Sequence, residues 1–268
     1  MLDLQKAGIF KRFSAWLCDV VLLAVVAIGA ILLGLIITNY DSHTENYISL
    51  QAECGEMLKA YAEKYGEDII NSTEEERATF TPEQKALYEA ADAELKADPK
   101  ANELYGKVAY EEQIMYNLIL TIVPVALLIA FLLLEFLVPL LFKNGQTVGK
   151  KIFGIGVMKN NGTRLTPQIL FVRAILGKYT METMVPVFLL LLVYAGFLGG
   201  LVGIIVVALI GIFNIVLMIA TKANLAIHDA LSYTVTVELA SQRIFENEQE
   251  LLEYKQKLHA EAAERAAY

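Results

Sequence analysis

The stretch FKRFSAWLCDVVLLAVVAIGAILLGLII, residues 10–37, decides what kind of protein this is. From Trp16 to Ile37 it is apolar except for Asp19, and a run of about 20 apolar residues crosses a bilayer core of roughly 30 Å. Two more such runs follow: Ile114 to Phe142, with one acid at Glu135, and Val185 to Ala220, with no charge at all. The chain has 268 residues and is 56% hydrophobic, more than a soluble domain of this size carries, and the surplus is concentrated in these runs. The sequence reads as an integral membrane protein. The first run is expected to stay in place rather than be removed as a signal peptide. It outlasts the usual apolar region of about 7–15 residues, and Ile31 to Tyr40 offers no small-x-small cleavage site.

The third run, carried on to Thr221, would be about 55 Å long as one straight helix, too long for a single crossing. Its middle reads AGFLGGLVG, with Gly196, Gly199, Gly200 and Gly203. Two spans meeting at a glycine-rich turn fit this, and glycines at four-residue spacing equally suit close helix packing. The expected fold is an all-α integral membrane protein with four transmembrane helices, the third and fourth forming a hairpin.

Charge fixes the expected orientation. The net charge of −8 is unevenly spread: Asn39 to Gln113 holds eighteen acids and seven bases, whereas Lys143 to Met181 holds seven bases and no acid. Short loops rich in Lys and Arg stay cytoplasmic, and Lys6, Lys11 and Arg12 before the first run agree with the basic loop. The N- and C-termini are therefore expected inside and the acidic segment outside. The segments are the N-terminus with the first transmembrane helix (1–38), an acidic helical extracytoplasmic insertion (39–113) and the second transmembrane helix (114–142). A basic cytoplasmic loop (143–182), a transmembrane hairpin (183–221) and a cytoplasmic segment with a charged helical tail (222–268) follow.

Within the insertion, Thr81-Pro82 and Asp98-Pro99 each set a capping residue before a proline at the first helical position. The helix from Asp98 is expected to run into the second span. Asn71-Ser72-Thr73 matches a glycosylation sequon but reads as a capping turn. Cys18 and Cys54 are expected to be free thiols, and no Cys/His spacing resembles a metal site. In the basic loop, Gly145 and Gly149 flank a turn, and Lys151 to Lys159 reads as a strand ending at an Asn161-Gly162 turn. Thr166-Pro167 opens a helix suited to the membrane interface. Tyr233 to Leu239 alternates polar and apolar, so it is expected to pair with Lys151 to Lys159 in a small cytoplasmic β element. GQTVGKK is one residue short of a phosphate loop and lacks its Ser/Thr, so nucleotide binding is not expected.

The polar residues inside the spans carry the functional reading. Arg12 lies near the cytoplasmic boundary, with Asp19 about 10 Å deeper on the same face. Glu135 lies about 12 Å from that boundary, and Asn214 falls at a similar depth in the last span. Arg173, His228 and Asp229 gather just below, as a cytoplasmic mouth. Each intramembrane acid costs roughly 2.5–3.5 kcal/mol, so such groups face the bundle interior and pair. Arg12 is expected to reach up toward Asp19, its stem remaining apolar. Glu135 shows no cation at its own depth, which marks it as a titrating site. A structural ion-pair network and an ion or proton site are both open readings of this cluster.

These residues also carry a resemblance. RFSAWLCD, EFLVPLLFKNGQTVGKKIFGIGVMKNNGTRLT, FVRAIL and AIHDALSYTVTV together resemble the RDD family of bacterial membrane proteins, named for one arginine and two aspartates. The likeness covers most of the chain outside Asn39 to Gln113 and the tail from Ser241, and the acidic insertion is larger than the family pattern. The resemblance implies a bacterial inner or plasma membrane location and transport of ions or small ligands, including cation/proton antiport. It marks Arg12, Asp19 and Asp229 as the name-giving residues, and it marks Glu135 and the turn Gly145, Gln146, Thr147, Gly149 and Lys150 as motif members. The ion or proton candidates are thus Arg12, Asp19, Glu135, Asn214 and Asp229. The expected partners are the lipid bilayer, a monovalent cation with a proton, and further copies of the chain, since four spans are few for a pathway. The alternative is a non-catalytic scaffold that docks another protein through residues 39–113. No nucleophile–base pair, metal motif or cofactor loop is visible, so neither an enzyme nor a cofactor is expected, and nothing points to nucleic acid.

Overall fold

A segment crossing lipid must pair every backbone N–H and C=O within itself. Among the described residues, four stretches are helices long and apolar enough to do so: Ile9–Ile37, Pro99–Phe142, Pro167–Val193 and Gly200–Ala220. The computed structural model describes residues 5–142, 144–194, 196, 200–221 and 223–266, the side chains of 194 and 264–266 excepted. Val25, Ile36, Leu133, Phe188 and Ile212 are among the large apolar side chains left exposed on these helices. They suit a solvent of acyl chains. The protein is a multi-pass membrane protein of mainly helical structure with a two-stranded sheet.

The chain forms two compact units, Ile31–Val123 and Met1–Ala30 with Pro124–Tyr268. In the first, Asn39 adopts a left-handed backbone (φ 51°) that separates α1 (Ile9–Ile37) from α2 (Tyr40–Tyr65). Helices α3 (Glu67–Ile70), α4 (Glu74–Ala78) and α5 (Pro82–Ala97) follow, then α6 (Pro99–Phe131). Thr73 and Thr81 each accept from the backbone N–H three residues on, and Glu76 and Gln84 return the bond. The sequon therefore forms the N-cap of α4. The buried set is thin, chiefly Cys54, Ala62, Ile69, Ala91 and Ala101. His43 Nδ1 lies 2.7 Å from Glu111 Oε2, tying α2 to α6. Cys18 and Cys54 are both free.

In the second unit, the second span passes through a widened π-helical turn, Leu132–Leu137, into α7 (Val138–Phe142). Next come α8 (Val148–Ile152), β1 (Ile155–Lys159) and α9 (Pro167–Phe171). From α9 the chain continues through a π-helical stretch, Val172–Met184, into α10 (Val185–Tyr194). The helix opened by Thr166 thus runs without interruption into the third candidate span, Pro167–Val193, rather than standing as a separate helix. The reason is that Arg173 and Lys178, which made this segment look interfacial, are buried against other parts of the unit, and Glu182 beyond them is nearly so.

Helix α11 (Gly200–Ala220) returns beside α10. A Cβ on Gly203 would stand 2.2 Å from Val193 Cγ2, so a larger residue here would force Val193 to shift. Gly196 turns with φ +74°, while Gly199, like Lys143 in the basic loop, lies outside the described residues. Helix α12 (Ile227–Leu231), β2 (Thr234–Glu238) and α13 (Glu248–Ala266) complete the chain. Strands β1 and β2 pair antiparallel, Ile155 opposite Glu238 and Lys159 opposite Thr234. On the free edge of β2, Ala7 N–H donates to Thr236 O (3.2 Å) and Glu238 N–H to Gln5 O (3.0 Å). Both faces of this sheet are covered, by Ala7 and Ala15 with Ile155, by Leu165 and Leu170 with Val157, and by Leu225 and Ile244 with Val235.

Candidate functional site

The site grows from the Gly145–Lys150 turn. Gly145 is left-handed (φ +61°), and a Cβ there would stand 2.6 Å from Leu165 Cδ1. Gln146 donates to Ile155 O (2.9 Å), pinning the turn to β1. Thr147 caps α8, its hydroxyl oxygen accepting from Lys150 N–H. Gly149 then brings α8 against α1 so closely that a Cβ would lie 2.2 Å from Ala15 O.

This contact places Asp19. Its Oδ1 accepts from Gly149 N–H (2.7 Å) and its Oδ2 from the Thr147 hydroxyl. The nearest described cation is Lys150, with Nζ 4.0 Å from Oδ2. Arg12 does not reach Asp19, contrary to expectation. It pairs with Asp229 Oδ2 at 2.8 Å and donates to Asn224 O. Asp19 already has neutral donors from the turn, whereas Asp229 is fully buried and needs positive charge around it. Arg173 supplies the second cation, donating to Asp229 Oδ1 and to the Thr234 hydroxyl. Burying a carboxylate is unfavourable unless it is paired and hydrogen-bonded, and two guanidinium groups achieve this.

Glu135, on the π-helical turn, is buried and does have a cationic partner: Lys178 Nζ lies 2.6 Å from Oε2. The expectation that it lacked one is corrected by the geometry of the third span. Arg173 and Lys178 are five residues apart, which on an α-helix would set them about 140° apart. In a π-helix each backbone bond reaches back five residues. The Thr180 and Thr183 hydroxyls follow that spacing, to Ile175 O (2.9 Å) and Lys178 O (3.0 Å). The widened turns bring Arg173, Lys178 and Glu182 onto the buried side together. Glu182 then accepts from the backbone N–H of His228 (3.1 Å) and lies 2.8 Å from its Nδ1. His228 Nε2 stands 3.7 Å from Asp229 Oδ1. Gly177 permits this approach, since a Cβ there would lie 2.6 Å from His228 Cβ. Asn214 is elsewhere: its Oδ1 accepts from Ile227 N–H (3.2 Å), joining the last span to α12 rather than to the acids.

Arg12, Lys150, Arg173 and Lys178 thus face Asp19, Glu135, Glu182 and Asp229, with His228 between the last two. Burial raises the Asp229 carboxyl, but Arg173, His228 and Arg12 outweigh it and hold the group well below the usual carboxylate range. Burial, then the like charge of Lys178, pushes Lys150 down to about 7 against the pull of Glu135 and Asp19. His228 is lowered by burial and by Arg173, against Asp229 and Glu182. For a lowered histidine the unfolded chain holds more protons below its own pKa of about 6.5, so stability falls as pH drops through that value. His228→Gln is expected to remove this loss: between pH 6.5 and 5 the wild type should lose more thermal stability than the variant. Parallel pH profiles would contradict it.

Arg173 Nη2 and Thr236 Oγ1 are buried without a hydrogen-bond partner among the described residues. No group of three or more His, Cys, Asp or Glu among the described residues is placed to hold a metal ion. Lys178 and Glu182 were not among the expected site residues. Their signal was present: two charges in a helix that runs on directly into the apolar stretch Val185–Tyr194. In comparisons with known proteins, the model of the RDD family matches residues 6–233. No curated protein and no solved structure matches the chain.

Proposed function

The chain belongs to the RDD family, and from that premise we propose that it is a transporter of ions rather than an enzyme. In this reading it exchanges a monovalent cation for a proton through the buried charge network. The observation that carries this is the environment of Asp19. Glu135 and Asp229 touch full positive charges, but among the described residues Asp19 accepts only from a hydroxyl and a backbone N–H, with Lys150 at 4.0 Å. A carboxylate so placed takes either a proton on Oδ or a small cation beside it, one excluding the other. The remaining pairs keep the surrounding charge balanced, which lowers the cost of holding ions below the membrane surface. The basic turn and the even number of spans support an orientation with both termini inside a bacterial plasma membrane, and the small number of spans supports assembly from several copies.

Reconstitution in vesicles carrying a lumenal pH indicator tests this. An imposed potassium or sodium gradient should change lumenal pH, and Asp19→Asn should reduce the rate by about tenfold or more, the scale expected when a proton-carrying group is removed. No lumenal response from the wild type, or a wild-type response from Asp19→Asn, would overturn the exchange reading.

A further inference from the structure

We infer that the Lys150 ammonium is a built-in occupant of the cation position beside Asp19 and Thr147, so that a free monovalent cation binds there only when that ammonium is displaced. The inference rests on the exchange reading of the same site and names what competes with the transported ion. Lys150 Nζ lies 3.3 Å from Thr147 Oγ1 and 4.0 Å from Asp19 Oδ2, and these two oxygens are themselves hydrogen-bonded to each other. One hydroxyl and one carboxylate oxygen are the hard donors a monovalent cation takes. In its protonated form, which prevails below about pH 7, Lys150 carries the same charge as potassium in a comparable volume, so the competition is read at about pH 6.

The tether is short and fixed. Lys150 N–H donates to Thr147 Oγ1, and Gly149 is held against Ala15 O, so the side chain leaves from a backbone that has little room to shift. The ammonium is nevertheless loosely held. Lys150 is only 8% exposed, yet among the described residues its three donors meet one oxygen at hydrogen-bond distance. Glu135, which would complete its shell, is bonded to Lys178 instead. A buried ammonium with donors to spare, beside a carboxylate whose direct donors are neutral, is an occupant that can be exchanged.

The test is cation-dependent thermal stability of the purified full chain in detergent. Potassium or sodium chloride is titrated at constant ionic strength against choline chloride, for the wild type, Lys150→Met, Lys150→Arg and Asp19→Asn/Lys150→Met. Lys150→Met is expected to show a saturable rise in melting temperature with potassium or sodium. Its half-saturating concentration should be roughly tenfold or more below that of the wild type, because the competing occupant is gone. Lys150→Arg should keep the wild-type response, and Asp19→Asn/Lys150→Met should lose it. Lys150→Gln serves in the same comparison should the methionine variant not fold. Equal responses in wild type and Lys150→Met, or a response surviving Asp19→Asn, would overturn the inference. Failure here with lumenal pH responses intact leaves exchange standing without the tethered competitor. Binding in Lys150→Met without any flux in the wild type would instead retain the cation position and remove exchange.

Discussion

Replacing Asp229 with alanine is expected to destabilise the protein by about 3–5 kcal/mol, the cost of breaking a buried ion pair from one side. The residue is fully buried and binds Arg12 and Arg173 at once. Without it, two guanidinium groups from separate helices face each other with no anion between them. Neither can turn out to water: Arg12 is also bound to Asn224 O, and Arg173 to Thr234. Asp229→Asn keeps the shape and some hydrogen bonds, so it should lie between wild type and alanine. Denaturant unfolding of the purified protein in detergent, or the amount of folded protein recovered from membranes, reads this directly. A loss below about 1 kcal/mol would place Asp229 among the ordinary surface pairs.

Gly149→Ala should rank second, at about 1–3 kcal/mol or more, because it forces a methyl group into a packed contact. The added Cβ would stand 2.2 Å from Ala15 O and 2.9 Å from Asp19 Oδ1. The first of these is helix backbone and has no rotamer to yield. Helices α1 and α8 must separate, and with them goes the bond from Gly149 N–H to Asp19. The variant is thus expected to lose stability and the exchange attributed to Asp19 together. Gly29→Ala is the control: it lies on the same helix as Ala15, its Cβ would meet nothing within 4 Å, and alanine is the better helix former by about 1 kcal/mol. Equal behaviour of the two variants would mean that the close approach at Gly149 does not hold the turn to the span.

Much of this architecture could be read from residue order because lipid imposes simple rules. Length and apolarity located the spans, capping residues located helices within residues 39–113, and alternation from Tyr233 to Leu239, paired in expectation with Lys151 to Lys159, located the strand Thr234–Glu238 that pairs with Ile155–Lys159. The pairing of charges was harder to read. Arg12 and Asp19 share a face by helical spacing, so they looked like partners. Their partners are instead Asp229, more than two hundred residues away, and the turn at Thr147 to Gly149, because loops bring those groups to the helix end. Glu135 looked unpaired because no cation lay at its own depth while Lys178 was read into a separate interfacial helix; the π-helical stretch that continues that helix turns Lys178 toward it. Glu182 was passed over because it follows directly on a segment defined by having no acid. A period of five rather than four, with charges at 173 and 178, is the trace that local widening leaves in a sequence.

Charges from separate spans neutralise one another inside the second unit, and the Glu135–Lys178 pair gives the sharpest check on this. A double-mutant cycle of Glu135→Gln, Lys178→Met and the combined variant, read by unfolding free energy in detergent, isolates their interaction. A coupling of about 1–3 kcal/mol is expected for a buried pair in direct contact. Effects that add to within about 0.5 kcal/mol would show that the two groups do not stabilise each other, and the network would lose its basis.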